Sequence, residues 1–339
     1  MTESILVWGA GAIGGTIGAT LRRAGHDVTF VDVHSEHVAA IRDPNRGLEI
    51  LGPVDAMLVT APAFVPEELQ GTWKRIFLAV KAHHTEAAAA TLRPHLADDG
   101  YVLSLQNGLC EGIIAKVVGD QRTVGAFINF GADWTGPGEI MFSNRGAVVV
   151  GELDGRITPR LKELHALMQI FEPDAIRTED IRSYLWGKLG YASLLSAQGI
   201  CELGIADTLA RRELFRLWRD LAGEVMDVAR AEGIKPRGFN GFDPDAFGRS
   251  GSEEKAKSSV AAMVAFNRPN PKTHSGVWRD LAVRKRRTEC AVKFGPIVEA
   301  GRKHGISCPK VAGLIAMIGE VEAGVRANSD RNLEELAGS

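Results

Sequence analysis

Ile5-Leu6-Val7-Trp8-Gly9-Ala10-Gly11-Ala12-Ile13-Gly14-Gly15 is the stretch that decides how this chain of 339 residues folds. Four apolar residues make a strand, and glycines 9, 11 and 14 follow it with G-x-G-x-x-G spacing. In a chain with 38 glycines the spacing alone is a weak signal, so its surroundings carry the reading. Residues 16–24 have the spacing of an amphipathic helix, Gly25 closes it, and the apolar run Val28–Val31 ends at Asp32. Strand, glycine turn, helix and second strand together form the unit that grips a dinucleotide. Gly9 allows the tight turn, Gly11 lets the backbone approach a pyrophosphate, and Gly14 lets helix and strand pack closely. The bare amides around Ala12 and Ile13 lie at the positive end of the helix dipole and face the phosphates. Asp32 stands about 20 residues beyond the glycines, where a carboxylate accepts hydrogen bonds from both ribose hydroxyls. A 2′-phosphate there meets a like charge, so NAD is expected in preference to NADP. A plain loop cap is the alternative for Asp32, and His34 and His37 are further candidates for holding a phosphate.

Length alone suggests about two domains of roughly 150 residues each. With 40 Lys and Arg against 42 acidic residues, the chain carries no bulk charge to attract a nucleic acid or a membrane surface. No apolar stretch approaches the roughly 20 residues that span a bilayer, and Met1-Thr2-Glu3-Ser4 lacks the charged start of a signal peptide, so a cytoplasmic protein is expected. Cys110, Cys201, Cys290 and Cys308 are far apart and show no C-x-x-C spacing. Buried thiols are expected, with neither a disulfide framework nor a metal site.

Beyond Asp32 the alternation continues. A helix at 36–42 precedes short strands at 48–50 and 57–60, a strand at 75–80, a helix at 85–96 and a strand at 101–105. A helix at 112–118 and strands at 123–130 and 147–151 complete the pattern, which predicts a mostly parallel, doubly wound sheet. After a helix at 154–171 the strand signals fade. Helices are expected at 181–203, 210–232, 278–304 and 310–328, with a shorter one at 253–266. The boundary falls near 178, giving a sheet domain at 1–178 and a helical domain at 179–339. Residues 235–277 are long for a connection and suggest a lid or an insertion. The run Arg284-Lys285-Arg286-Arg287, placed on a helix, points round it and reads as a solvated face.

A ligand at the glycine turn of an open sheet lies outside the carboxyl ends of the strands. Lys81 follows one such strand and Asn107, with Gly108 behind it, follows another. Both suit contact with cofactor or substrate. The glycine fingerprint, Val80-Lys81-Ala82, Gln106-Asn107-Gly108, Gly136-Pro137-Gly138, Trp186-Gly187-Lys188-Leu189 and Thr288-Glu289 together resemble the ketopantoate reductase family, over nearly the whole chain. The resemblance implies a Rossmann domain, then an all-helical domain of the 6-phosphogluconate dehydrogenase-like type for substrate and dimerisation, and a cleft between them. It implies a dehydrogenase or reductase that moves a hydride between NAD or NADP and a 2-keto or 2-hydroxy acid, and a homodimer. It further implies Lys188 as general acid or base, Glu289 as its acidic helper, and Lys81 and Asn107 as cofactor and substrate contacts.

The departures bear on the substrate. Four and eight residues after the lysine, where the family usually has Asn and often another polar residue, stand Ala192 and Ser196. After Thr288-Glu289 come Ala291 and Phe294-Gly295, where the family carries an Asp and an Asn-Gly. Ser275, in a segment resembling the family's serine that binds the substrate carboxylate, joins Asn107 and Ser196 as a candidate substrate contact; Gly276 is the other register. The loss of polar partners predicts a 2-keto or 2-hydroxy acid other than ketopantoate, with a bulkier apolar or aromatic part. The alternatives are ketopantoate reductase proper, using NADPH in pantothenate synthesis, and a non-catalytic dinucleotide-binding regulator.

Overall fold

The computed structural model describes residues 4–270 and 273–338. The chain divides into two compact units, Met1–Ile181 and Arg182–Ser339. The first contains, in order, β1 (Ile5–Trp8), α1 (Ala12–Arg23), β2 (Val28–Val31), α2 (Ser35–Arg42), β3 (Leu48–Leu51), β4 (Met57–Val59), β5 (Ala63–Phe64), β6 (Trp73–Leu78), α3 (Thr85–Leu92) and β7 (Leu96–Ser104). It continues with α4 (Glu111–Val118), β8 (Thr123–Ile128), β9 (Gly131–Gly136), β10 (Glu139–Asn144), β11 (Val148–Glu152), α5 (Pro159–Phe171) and β12 (Ile176–Arg177).

Eight strands form one sheet in the order β12-β11-β8-β7-β6-β1-β2-β5, with every pair parallel except β11 with β8. From β1 the chain builds outward to β2 and β5 on one side and to β6, β7 and β8 on the other, so β1 and β6 flank the point where the strand order reverses. Trp8, Leu78 and Ser104 share one register row. The chain therefore leaves β1 at Gly9, β6 at Ala79 and β7 at Leu105 along the same sheet edge. This is the doubly wound, Rossmann-type sheet expected from the sequence.

A second sheet, β4-β3-β10-β9, is not foreseen in the sequence reading. It explains why α1 is buried all round from Gly14 to Leu21. One side of α1 lies on the large sheet, where Gly18 faces Phe30, and the other meets the small one, where a Cβ on Gly15 would strike Ile140. The helix also starts at Ala12 rather than at 16, because Gly14 and Gly15 belong to its first turn and Gly11 is its N-cap.

The second unit is helical: α6 (Ile181–Gln198), α7 (Ile205–Leu209), α8 (Phe215–Ala231), α9 (Glu253–Asn267), α10 (Gly276–Trp278), α11 (Cys290–Lys303), α12 (Pro309–Glu322) and α13 (Arg331–Gly338). The helix expected at 278–304 is broken. A wide turn, Arg279–Val283, follows α10, and residues 284–289 run as a loop before α11. The basic run is thus not a helical face. Arg284 and Arg286 both donate to the buried carboxylate of Asp280, at 3.2 and 2.9 Å, which draws the chain into the loop. Part of 235–277 is anchored to the helical core: Phe242 and Phe247 stack at 5.1 Å and are buried, and Arg230 ties the carbonyls of Pro244 and Phe247 to α8. Most of the other described residues of the segment are partly or fully exposed. Pro271 and Lys272 of that segment lie outside the described residues. All four cysteines are buried and free, and among the described residues no helix is long and apolar enough to cross a membrane.

Candidate functional site

In the first unit the three glycines are required for different reasons. Gly9 adopts φ +100°, and a Cβ there would come within 2.9 Å of the Ala79–Val80 backbone. A Cβ on Gly14 would collide with the Gly9 carbonyl and lie 2.9 Å from Ala79 and Val7. Gly11 is the exception. Its φ of −70° and ψ of −160° suit any residue, and a Cβ there would meet nothing within 4 Å. Packing of the described residues does not call for glycine at this position. Glycine is itself favoured over alanine at an N-cap, and its bare backbone leaves room for a ligand to lie against it. Gly11 is the N-cap of α1 without a side-chain capping bond, the first turn carries no acidic residue, and Gly11, Ala12 and Ile13 are partly exposed. The residues present fit the pyrophosphate of a dinucleotide.

Asp32 ends β2 beside this turn. Its Oδ2 accepts from the Ala10 amide at 2.9 Å and its Oδ1 from the His34 amide at 3.0 Å. Each carboxylate oxygen has a second lone pair, so bracing the turn leaves acceptor capacity for ribose hydroxyls. His37 is 1 % exposed and hydrogen-bonded at both ring nitrogens, so it is not available to a phosphate.

Lys81 and Asn107 are exposed on the same strand-end edge as the glycine turn, three residues past Leu78 and Ser104 in the shared register row. Gln106, which the sequence offers only as part of Gln106-Asn107-Gly108 with no role of its own, links their two loops. Its buried amide donates to the Val80 carbonyl at 2.9 Å and to Thr85 Oγ1 at 2.8 Å. Gly108, at φ +101°, turns the chain directly after Asn107.

In the second unit α6 is enclosed on most sides. Gly187 lets the Arg237 carbonyl approach, and Gly190 packs under Met226 and Phe242. Beyond the exposed Arg182 at its start, its partly exposed positions are Tyr184, Lys188, Ala192 and Leu195, one stripe at helical spacing. Ser196 falls off that stripe and is 1 % exposed, so it is not an accessible substrate contact; Leu195 takes that turn of the surface. Arg237 lies over the Tyr184 ring at 5.2 Å. Ser275 is buried, its Oγ capping the amide of Trp278 at 3.1 Å and its own amide bonded to Gln198 at the end of α6, at 2.9 Å. Glu289, 8 % exposed, is the residue before α11. Thr288 fixes its approach, since its amide and hydroxyl both donate to Glu322 on α12, at 2.8 and 2.6 Å. Among the described residues no cluster of His, Cys, Asp or Glu could hold a metal ion.

Comparison with known proteins matches residues 5–155 to the family described as ketopantoate reductase PanE/ApbA, and residues 180–322 to its C-terminal part. The 2-dehydropantoate 2-reductase of Archaeoglobus fulgidus is 29% identical over 325 residues, covering 95% of this chain and 99% of that one. Among solved structures, a PanE/ApbA family ketopantoate reductase from Ralstonia eutropha is 27% identical with a TM-score of 0.79, covering 95% of this chain and 99% of that one. A D-mandelate dehydrogenase solved with NADH and anilino(oxo)acetate superposes with a TM-score of 0.82 at 21% identity over 95% of this chain and 99% of that one, a likeness of fold.

Proposed function

The chain belongs to the ketopantoate reductase PanE/ApbA family of oxidoreductases, and from that premise we propose that it transfers a hydride between a nicotinamide cofactor and a 2-keto or 2-hydroxy acid other than ketopantoate. The first unit is the dinucleotide-binding domain, with Gly9, Gly11, Ala12, Ile13 and Gly14 along the pyrophosphate, Asp32 toward the adenosine ribose, and Lys81 and Asn107 toward the reacting end. Asp32 favours NAD over NADP, because a 2′-phosphate beside its carboxylate meets like charge. The second unit is the substrate and dimerisation domain.

When bound, the cofactor supplies the hydride. Lys188 stabilises the negative charge that appears on the substrate oxygen and gives that oxygen its proton; in oxidation it takes the proton from the hydroxyl. Glu289 orients Lys188 or a substrate hydroxyl, and Asn107 holds the carboxylate; Ser275, buried and capping Trp278, supports the end of α6 through Gln198. The observation that carries the substrate reading is the exposed stripe of α6. Past its first turn it offers a phenol ring, one ammonium, a methyl and a leucine, and the family's orienting Asn is replaced by Ala192. A site with few polar partners selects against a hydroxylated substrate and accepts an apolar or aromatic one.

The test follows reduced-nicotinamide absorbance across a panel of aliphatic and aryl 2-keto acids, with NADH and NADPH in parallel, for the parent and Lys188→Ala. Turnover of an aryl or bulky keto acid with NADH, falling at least ~100-fold in the variant, is expected. Near-parental turnover in a folded Lys188→Ala protein overturns the lysine's role. The relatives named 2-dehydropantoate 2-reductase favour a second reading, reduction of ketopantoate itself. Ketopantoate as the best substrate in that panel would establish it instead.

A further inference from the structure

Ala10, between two glycines of the turn, has both backbone polar groups taken by side chains from the next strand and helix. Its N–H donates to Asp32 Oδ2 and its C=O accepts from His37 Nε2, each at 2.9 Å. His37 reaches across from α2, and its other nitrogen, Nδ1, accepts from the Gly138 amide at 2.8 Å. An amide N–H can only donate, so Nδ1 carries no proton and Nε2–H is the donor to Ala10. Gly138 belongs to the Gly136-Pro137-Gly138 turn between β9 and β10. Its φ is +84°, and a Cβ there would sit 2.8 Å from Ala40, so this hairpin seats on α2 only as glycine. Trp134 of β9 stands edge-on to His37 at 5.8 Å and stacks on His34 at 5.4 Å. Burial holds the His37 imidazole below its ordinary pKa of 6.5, against the pull of the Ala10 bond and of Asp32.

A trans peptide points its carbonyl and the following N–H in opposite directions. A carbonyl left free at this turn could swing toward the phosphate side and repel it. We propose that His37 is a positioning residue for the dinucleotide: by drawing the Ala10 carbonyl toward α2, it aims the Gly11 amide and the open first turn of α1 at the pyrophosphate. The Gly-Pro-Gly hairpin thereby gains a task, since its Gly138 amide sets the imidazole tautomer that makes this bond. The proposal rests on the nicotinamide reading above and goes beyond it in assigning the small second sheet a share in cofactor binding.

The experiment titrates NADH, ADP and adenosine into the parent, His37→Phe and His37→Gln, with thermal midpoints as the folding control. Phenylalanine fills the same space and makes neither bond. NADH and ADP are expected to bind about tenfold more weakly, with adenosine, which has no pyrophosphate, unchanged. Glutamine can donate and accept, so it restores most of the affinity. In the parent, NADH affinity is full above pH 6.5 and declines as the pH falls below it through the folded His37 value, because the protonated ring cannot accept from Gly138. Asp32 and His34 are the titratable groups facing the ring, while the hairpin and the glycine turn present Trp134, Gly138 and Ala10. Both titratable neighbours persist in His37→Gln, so its flatter acid limb assigns the decline to His37. Adenosine weakened as much as NADH, or His37→Phe binding NADH as the parent does, overturns the proposal. Should His37→Phe not fold, an acid limb in His37→Gln identical to the parent's overturns it as well. A parent that binds no NADH at any pH overturns the nicotinamide reading instead.

Discussion

A side chain at Gly14 has nowhere to go, whereas one at Gly11 has open space, and that contrast separates folding from binding. Gly14→Ala drives a methyl against the Gly9 carbonyl and to within 2.9 Å of Ala79 and Val7. It should cost about 1–3 kcal/mol of stability in a denaturant titration. Gly11→Ala adds the same methyl where nothing lies within 4 Å and φ is −70°, so it should cost no more than about 0.5–1 kcal/mol, the N-cap preference for glycine over alanine. NADH affinity should nevertheless drop about tenfold, because the methyl takes the space of a phosphate. Equal loss of stability in both variants would show that Gly11 serves packing after all. The glycines and Asp32 are legible in the sequence because the constraint on each is local. The roles of His37, read in the sequence as a phosphate contact, and of Gln106 are not. His37 joins positions 27 and 101 residues away, and Gln106 positions 26 and 21 away, and no short-range pattern encodes such pairs.

Elements carry the same lesson at longer range. The βαβ start and β6, β7, β8 and β11 of the large sheet follow from apolar runs bounded by turns, because strands buried on both faces are largely apolar. By contrast β5 and β12, two residues each at the sheet's ends, give no such run. The β9–β10 hairpin has a Gly-Pro-Gly turn, but only Ile140 and Phe142 of β10 are fully buried, so its alternation is faint. The break after α10 is hidden in another way. Helical periodicity runs through 278–304, and long-range ties hold 284–289 out of the helix: Asp280, buried and paired with two arginines, and Thr288, bonded to Glu322. Arg286 adds a backbone bond, its amide donating to the Asp280 carbonyl at 2.9 Å. Asp280→Ala removes the anchor from a loop that ends at Glu289. Charged hydrogen bonds of this kind are worth ~1.5–3 kcal/mol, so the thermal midpoint should fall by several degrees. If Glu289 works at the site, kcat/KM should fall further than the lost stability explains, with NADH affinity unaltered. An unaltered midpoint would mean that the Asp280 pairs contribute nothing to the loop.

At the scale of the whole molecule, the candidate groups divide between the two units. Gly9 to Gly14, Asp32, Lys81 and Asn107 lie in Met1–Ile181, and Lys188, Ser275 and Glu289 lie in Arg182–Ser339. This division has a thermodynamic signature in the intact chain. A ligand that binds only the folded protein stabilises it by RT ln(1 + [L]/Kd), about 2.7 kcal/mol at one hundred times Kd. NADH should therefore raise the midpoint of the transition in which the first unit unfolds. Lys188→Ala removes a side chain of the other unit, so it should leave that rise intact while abolishing turnover. Gly11→Ala should do the reverse at moderate NADH concentration, shrinking the rise while turnover recovers at saturating cofactor. Paired scanning calorimetry and turnover on the two variants test this directly. Loss of the NADH-dependent rise in Lys188→Ala would mean that the lysine holds cofactor rather than substrate, and the acid–base role assigned to it would have to move to another group.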